Sequence, residues 1–216
     1  MVWDWNGTLF DDFDANVAAV AEVCDAAGGP VVSPDAYRRH FVRPITVFYE
    51  RLLGRPLEPG EWDRLNESYF AAYRRRLASI RLVAGAEEAL AAVAAAGRSQ
   101  SLLSMWEHDE LLRLVRGFGI DRHFVRVDGQ RGTGGDSKEA FLSGHVAHVD
   151  ALVGPLDAHE VLVVGDSVDD ARAAGALGLR CVLVAGGPEH PEALEATGVA
   201  VAPTLAEAVG AATGRR

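Results

Sequence analysis

Apolar positions along the chain fall into two patterns, and the change comes near residue 80. Between residues 14 and 79 they recur at helical spacing. Val17, Val20, Ala21 and Cys24 share one face of a helix that Gly28, Gly29 and Pro30 bring to an end. Ser33-Pro34-Asp35 reads as the next helix start, with Ser33 as N-cap and Pro34 in the first turn. Pro44, Gly54, Pro59 and Gly60 punctuate the rest of this stretch, and the spacing predicts a long helix from Glu61 to about Leu77. No strand pattern interrupts these residues, so they predict an all-helical insert.

Outside the insert, short apolar runs alternate with helical segments. Met1 to Asp4 reads as the end of a strand; only three residues precede Asp4, which leaves room for a natural start upstream. After residue 80 the pattern predicts a helix over 86–96, opened by Gly85 and closed by Gly97. A strand over 101–104, a helix around Leu111 to Val115 and a strand over 124–127 come next. The remainder reads as a helix over 138–152, a strand over 161–164, a helix over 166–177 and strands over 181–184 and 199–201. This alternation predicts an α/β fold, a Rossmann-like parallel sheet core with helices on both faces and right-handed crossovers. The expected division is a core of residues 1–13 and 80–216 interrupted by a helical domain of residues 14–79.

Composition narrows the partners. The chain is 216 residues long, 49% hydrophobic and 24% charged, an ordinary globular balance. A net charge of −10 argues against nucleic acid, because phosphate backbones reward clustered Lys and Arg. A small phosphorylated substrate needs only a local positive site. Cys24 and Cys181 read as small buried apolar residues and suggest no disulfide framework or thiol metal site. No apolar stretch approaches a membrane span and no leader is recognisable, so no membrane partner is expected and the cytoplasm is the default address. Lys138 is the one lysine; every other basic residue is arginine. A GC-rich genome explains that bias, yet a single retained lysine invites attention.

Open parallel sheets place their sites beyond the carboxyl ends of the strands. Asp4, Ser104, Asp166 and Lys138 with its preceding loop are predicted there. In Asp4-Trp5-Asn6-Gly7-Thr8, the Asp4 carboxylate could attack phosphorus, and Gly7 and Thr8 permit a turn whose N–H groups face a phosphate. The same residues read equally as an Asx turn. In Gly165-Asp166-Ser167-Val168-Asp169-Asp170, the i, i+4 spacing puts Asp166 and Asp170 on one face, which suits Mg2+. A helix start enriched in acids accounts for the segment too, and for Asp169 better. Ser104 could bond a phosphoryl oxygen or simply make a local turn bond. Lys138 could offset phosphoryl charge or be a solvated surface residue.

Taken together, these four segments, in this order and with the helical insert after the first, resemble the haloacid dehalogenase superfamily. The motifs are Asp-x-Asp-Gly-Thr, a strand-end Ser or Thr, a Lys, and Gly-Asp with an acid four residues on. The resemblance covers essentially the whole chain, and the insert is similar to the α-helical cap of phosphoglycolate-phosphatase-like members. It implies a Mg2+-dependent hydrolase of a small phosphorylated metabolite, working through an aspartyl phosphate. By resemblance, Asp4 is nucleophile and Mg2+ ligand, Asn6 lends its backbone carbonyl, Asp166 is a direct ligand and Asp170 supports the site. Ser104 and Lys138 hold phosphate. Arg43 and the Arg74–Arg76 run are candidates to meet an anionic substrate, although such a run is more often a solvated helix face.

One position departs from that pattern. Phosphatases of the superfamily carry an Asp where this chain has Asn6, and that Asp protonates the leaving oxygen and later activates water. An amide does neither at neutral pH. Good leaving groups, as in acyl and aryl phosphates, suffer least. The departure raises two further expectations: a phosphate-ligand-binding or regulatory protein with weakened catalysis, or deamidation of Asn6, which precedes Gly7, to restore the acid. The acids at 166 and 170 speak against metal-free dehalogenation. The absence of lysine from the insert speaks against Schiff-base phosphonate cleavage.

Overall fold

The computed structural model describes residues 1–131 and 137–213. The chain divides into two compact units, one of Met1–Phe10, Leu82–Gly187 and Pro191–Arg216, the other of Asp11–Arg81 with Pro188–His190.

The first unit is built on a six-stranded parallel sheet. Its strands are β1 (Val2–Trp3), β2 (Ser101–Glu107), β3 (Arg126–Gln130), β4 (Leu162–Gly165), β5 (Arg180–Val184) and β6 (Ala200–Ala202), in spatial order β3-β2-β1-β4-β5-β6. The chain runs outward from β1 to β3, then returns to the other side of β1 and runs outward again. The reversal beside β1 is the point where such sheets form a crevice. Strands covered on both faces are apolar throughout, and Leu162 to Val164 are all buried. Helices α5 (Ala86–Ala95), α6 (His108–Gly117), α7 (Lys138–Val153), α8 (Val168–Ala176), α9 (Pro191–Glu195) and α10 (Leu205–Thr213) complete this unit. Leu103, Val161 and Val163 pack against Leu142 of α7 and Ala173 and Ala174 of α8.

The second unit is helical: α1 (Phe13–Ala26), α2 (Pro34–His40), α3 (Ile45–Leu53) and α4 (Glu61–Arg76). Ser33 caps α2 by accepting from the Ala36 amide at 3.1 Å. Phe13, Tyr37 and Phe48 interlock at its centre, with ring centroids 5.5 and 4.8 Å apart. Buried Asp12 accepts from Tyr73 Oη at 2.8 Å and Asn16 Nδ2 at 2.9 Å, which fastens the start of α1 to α4.

Three sequence expectations need correction. Strand β2 runs to Glu107, so Ser104 lies inside it. Its pairing with β3 shifts register between Leu103 and Glu107, a bulge that absorbs residues the apolar run gave no sign of. Strand β3 begins at Arg126, because 121–123 form a short 3-10 turn. Helix α8 begins at Val168, so Asp166 belongs to the loop before it. Helices α9 and α10 carry no clear spacing signal.

A buried polar link ties α7 to the sheet. His145 Nδ1 lies 2.7 Å from Asp128 Oδ2 and Nε2 lies 2.8 Å from Ser101 Oγ. Burial pushes the Asp128 carboxyl up, but His145 and Arg126 outweigh it and bring it down to about 2. A depressed carboxylate stabilises the fold above its unfolded value of 3.8 and loses that contribution as pH falls through its folded value. The stability gap between wild type and Asp128→Asn is therefore expected to be full above pH about 4 and to close by pH about 2. Urea unfolding across that range checks it.

Candidate active site

Asp4 and Asp166 are the first residues beyond the carboxyl ends of β1 and β4, neighbouring strands at the reversal. Strand pairing (Trp3 opposite Val164) and the Asp4 amide donating to the Val164 carbonyl at 2.8 Å hold the two ends level. Asp170 joins them from the first turn of α8. Ser167 is the N-cap there, accepting from the Asp170 amide at 3.3 Å, while Asp170 Oδ2 accepts from Ser167 N at 3.2 Å and Ser167 Oγ at 2.6 Å. This reciprocal box is legible as Ser-x-x-Asp, a signal that a helix-dipole reading of the acids misses. The carboxylates of Asp166 and Asp170 do meet, although through a strand–loop–helix junction rather than along one helix face. Asp169 faces away and pairs with Arg172 at 3.2 Å.

Asp4, Asp166 and Asp170 are buried, and one oxygen from each lies within 4.8 Å of the others. Lys138, the first residue of α7, enters from the side, with Ser137 capping its helix. Its Nζ donates to Asp4 Oδ1 at 2.8 Å and sits 2.6 Å from Asp170 Oδ1. The second contact is a close ion pair. Burial alone would depress the ammonium, but the Asp170 and Asp4 carboxylates overcome it and hold the group above the usual lysine range. Burial pushes Asp4 up to about 6; Lys138 opposes the rise and Asp170 adds to it. Three carboxylates against one ammonium leave a local surplus of negative charge in a low-dielectric setting.

That surplus and the all-oxygen donor set fit a hard divalent cation. The backbone is shaped to the same end. A Cβ at Gly7 or at Gly187 would strike the Asp166 carboxylate, and Gly7 has φ +69°, so backbone from two loops closes on that side chain.

The other sequence candidates are placed differently. Ser104 is buried at the β2 bulge, and its Oγ accepts from the Trp106 amide at 3.1 Å, the local bond of its plainer reading. Asn6 opens the turn after Asp4 and bridges to Phe10. The Gly134–Asp136 part of the loop before Lys138 lies outside the described residues. Arg75 and Arg76 both pair with Glu22 on α1, the latter at 2.9 Å, which is the behaviour of a solvated helix face. Arg43 Cζ lies 6.0 Å from the Phe41 ring.

The turn also bears on deamidation of Asn6. That reaction needs the Gly7 nitrogen to attack the Asn6 side chain. The Gly7 amide instead donates to the Phe10 carbonyl at 2.9 Å, which holds it out of reaction. The expected outcome is that peptide mapping of aged protein finds Asn6 intact while unfolded protein converts; rapid conversion in the folded state would contradict it.

The chain matches the model of the haloacid dehalogenase-like hydrolase family over residues 1–184 and belongs to that family. A phosphoglycolate phosphatase of Mesorhizobium japonicum is 28% identical over 191 residues, 85% of this chain and 81% of that protein. Among solved structures, a predicted phosphoglycolate phosphatase of Haemophilus somnus superposes with a TM-score of 0.75 at 18% identity, covering 97% of this chain and 96% of its own. Mycobacterium tuberculosis protein tyrosine kinase A superposes with a TM-score of 0.73 at 27% identity, covering 97% and 96%. The α/β core with its parallel sheet is thus the fold of this family, and the chain is a hydrolase of it. Among the described residues no helix is long and apolar enough to cross a membrane.

Proposed function

We propose that the protein is a Mg2+-dependent phosphatase that acts on a small phosphorylated metabolite through a phosphorylated Asp4. The observation that carries the proposal is the meeting of the Asp4, Asp166 and Asp170 carboxylates with the Lys138 ammonium at the sheet reversal. The M. japonicum relative supports a small phosphorylated substrate. Asp4, Asp166 and the Asn6 backbone carbonyl would hold Mg2+, with Asp170 supporting them. Bound there, the ion offsets the charge that nucleophile and phosphoryl group would otherwise set against each other.

In this reading an Asp4 carboxylate oxygen attacks phosphorus and the bond to the leaving oxygen breaks. Lys138 keeps Asp4 ionised and aimed, and its remaining N–H groups stabilise the transferring phosphoryl oxygens. Ser104 accepts from the Trp106 amide, which leaves its O–H to donate to the phosphoryl group. The helical residues 14–79 act as the cap that selects substrate and excludes water. Asn6 neither protonates the leaving oxygen nor activates water, so the chemistry favours substrates that leave as stable anions, namely acyl and aryl phosphates.

A second reading rests on Asn6 and on the kinase relative at 27% identity. With water poorly activated, the phosphoryl group on Asp4 persists and passes to an acceptor other than water, or the phosphorylated protein is itself a signal. Release of inorganic phosphate against retention of phosphate on the protein separates the two.

Turnover of p-nitrophenyl phosphate with Mg2+ tests the first reading. Wild type is expected to be slow, Asp4→Asn inactive, and Asn6→Asp faster by about 10²-fold, the low end of what general acid–base catalysis supplies, because p-nitrophenolate leaves without protonation and only the activation of water is gained. Equal rates in wild type and Asn6→Asp would remove Asn6 from the account. Mg2+ titration by calorimetry is expected to lose its signal in Asp166→Asn while the thermal midpoint of the apoprotein holds or rises, because removing one of three crowded carboxylates relieves repulsion.

A further inference from the structure

Helix α7 opens with Lys138, and the stripe that begins there continues at helical spacing as Leu142, His145 and Val149, the three buried residues of that helix. Lys138 meets Asp4 Oδ1 at 2.8 Å and Asp170 Oδ1 at 2.6 Å at once. Holding both contacts requires α7 to keep one rotation about its axis and one position along it.

Apolar packing alone does not supply that constraint. Leu142 packs with Leu103, Val161 and Val163, but such contacts are non-directional, and packed helices slide over one another by small shear motions. Beside Lys138 the packing is also incomplete. A cavity of about 10 Å³ is lined there by Asp4, Lys138, Leu142, Leu103 and Asp170.

The directional contacts lie two turns further along the helix, roughly 10 Å from Lys138. His145 is 2% exposed and is the one polar side chain among the buried residues of α7. Asp128 is ionised and accepts from Arg126 Nε, so it offers only acceptor oxygens. His145 Nδ1 therefore carries a proton and donates to Asp128 Oδ2 at 2.7 Å, and in the neutral ring Nε2 accepts from Ser101 Oγ at 2.8 Å. The partners come from two strands. Ser101 and Leu103 share one face of β2, and Leu103 stands opposite Asp128 of β3. One ring thus spans two strands whose register is fixed by pairing. Turning or sliding α7 breaks at least one buried hydrogen bond, and a buried polar group left unpaired is costly. The order Ser–His–Asp is that of a hydrolytic triad, but Ser101 is 1% exposed and out of reach of a substrate.

We propose that His145 is the positioning residue of Lys138: by pinning α7 to Ser101 and Asp128 it sets where the helix begins and so holds the ammonium between Asp4 and Asp170. The proposal deepens the phosphatase reading and rests on it for the effect on rate, whereas the placement of Lys138 is read without substrate.

The test uses the one lysine of the chain. Protein labelled with 13C and 15N in lysine alone gives a single side-chain signal, that of Lys138. His145→Leu removes both bonds and is expected to move that signal toward the position of free lysine and to speed exchange of the ammonium protons. Ser101→Ala and Asp128→Asn each remove one bond and are expected to move it the same way by less. Should His145→Leu fail to fold, these two variants carry the comparison. Val149→Ala is the control, because it removes buried apolar volume from the same stripe one turn further from Lys138. It is expected to lower the thermal midpoint while the lysine signal and kcat stay at their wild-type values. With p-nitrophenyl phosphate and Mg2+, kcat of folded His145→Leu is expected to fall roughly 10²-fold, the loss that a displacement of about 1 Å brings. A lysine signal unmoved in the folded variants, an equal movement in Val149→Ala, or a kcat that holds while the signal moves overturns the proposal. If the signal moves as expected but wild type turns over no phosphate ester, the phosphatase reading fails and the placement of Lys138 by His145 stands.

Discussion

The contact on which the rest depends is the Lys138 ammonium lodged between Asp4 and Asp170. Buried carboxylates at close range repel strongly, and a folded chain tolerates such a group only if opposite charge is brought to it. Lys138 supplies one positive charge against three acids. Burial, with Asp170, pushes the Asp4 carboxyl up to about 6 against the pull of Lys138, and the remaining imbalance is one that a divalent cation would offset. The same ammonium joins α7 to β1 and α8, so one contact serves both the fold and the proposed chemistry.

Around that contact the backbone is specialised in small ways that share one purpose. Gly7 and Gly187 leave no room beside Asp166. The Ser167–Asp170 box fixes Asp170 at the start of α8. On β3, Gly129 allows the β2–α6 corner to press close, and its amide donates to His108 Nδ1 at 3.1 Å. Each device holds a polar side chain in a single orientation beside the carboxyl ends of the strands. A reaction that relies on positioning and electrostatics needs that order before substrate arrives.

Asn6 sets the chemical character of the site. In the proposed chemistry Asp4 would carry the phosphoryl group, and the side chain that would complete hydrolysis is an amide. Its turn is stable, because Gly7 is tied to Phe10. In either proposed reading, the outcome would turn on the leaving group and the acceptor rather than on repair of the site.

Periodicity and spacing by themselves determined the alternation of strands and helices and the helical stretch before residue 80, and they marked Asp4, Lys138, Asp166 and Asp170 as candidates whose proposed roles came from the family resemblance, because each rests on local pattern and side-chain chemistry. Local pattern could not show that β2 carries a bulge at Ser104, since a bulge depends on what the neighbouring strand does. Nor could it show that Asp166 and Asp170 meet across a loop instead of along a helix. The bonds of His145 to Asp128 and Ser101 were not legible: these partners stand 17 and 44 positions away, and only the register of β2 on β3 places them together. Sequence reports what each residue is able to do; convergence of residues far apart in the chain is a property of the sheet, and strand order and register exist only in three dimensions.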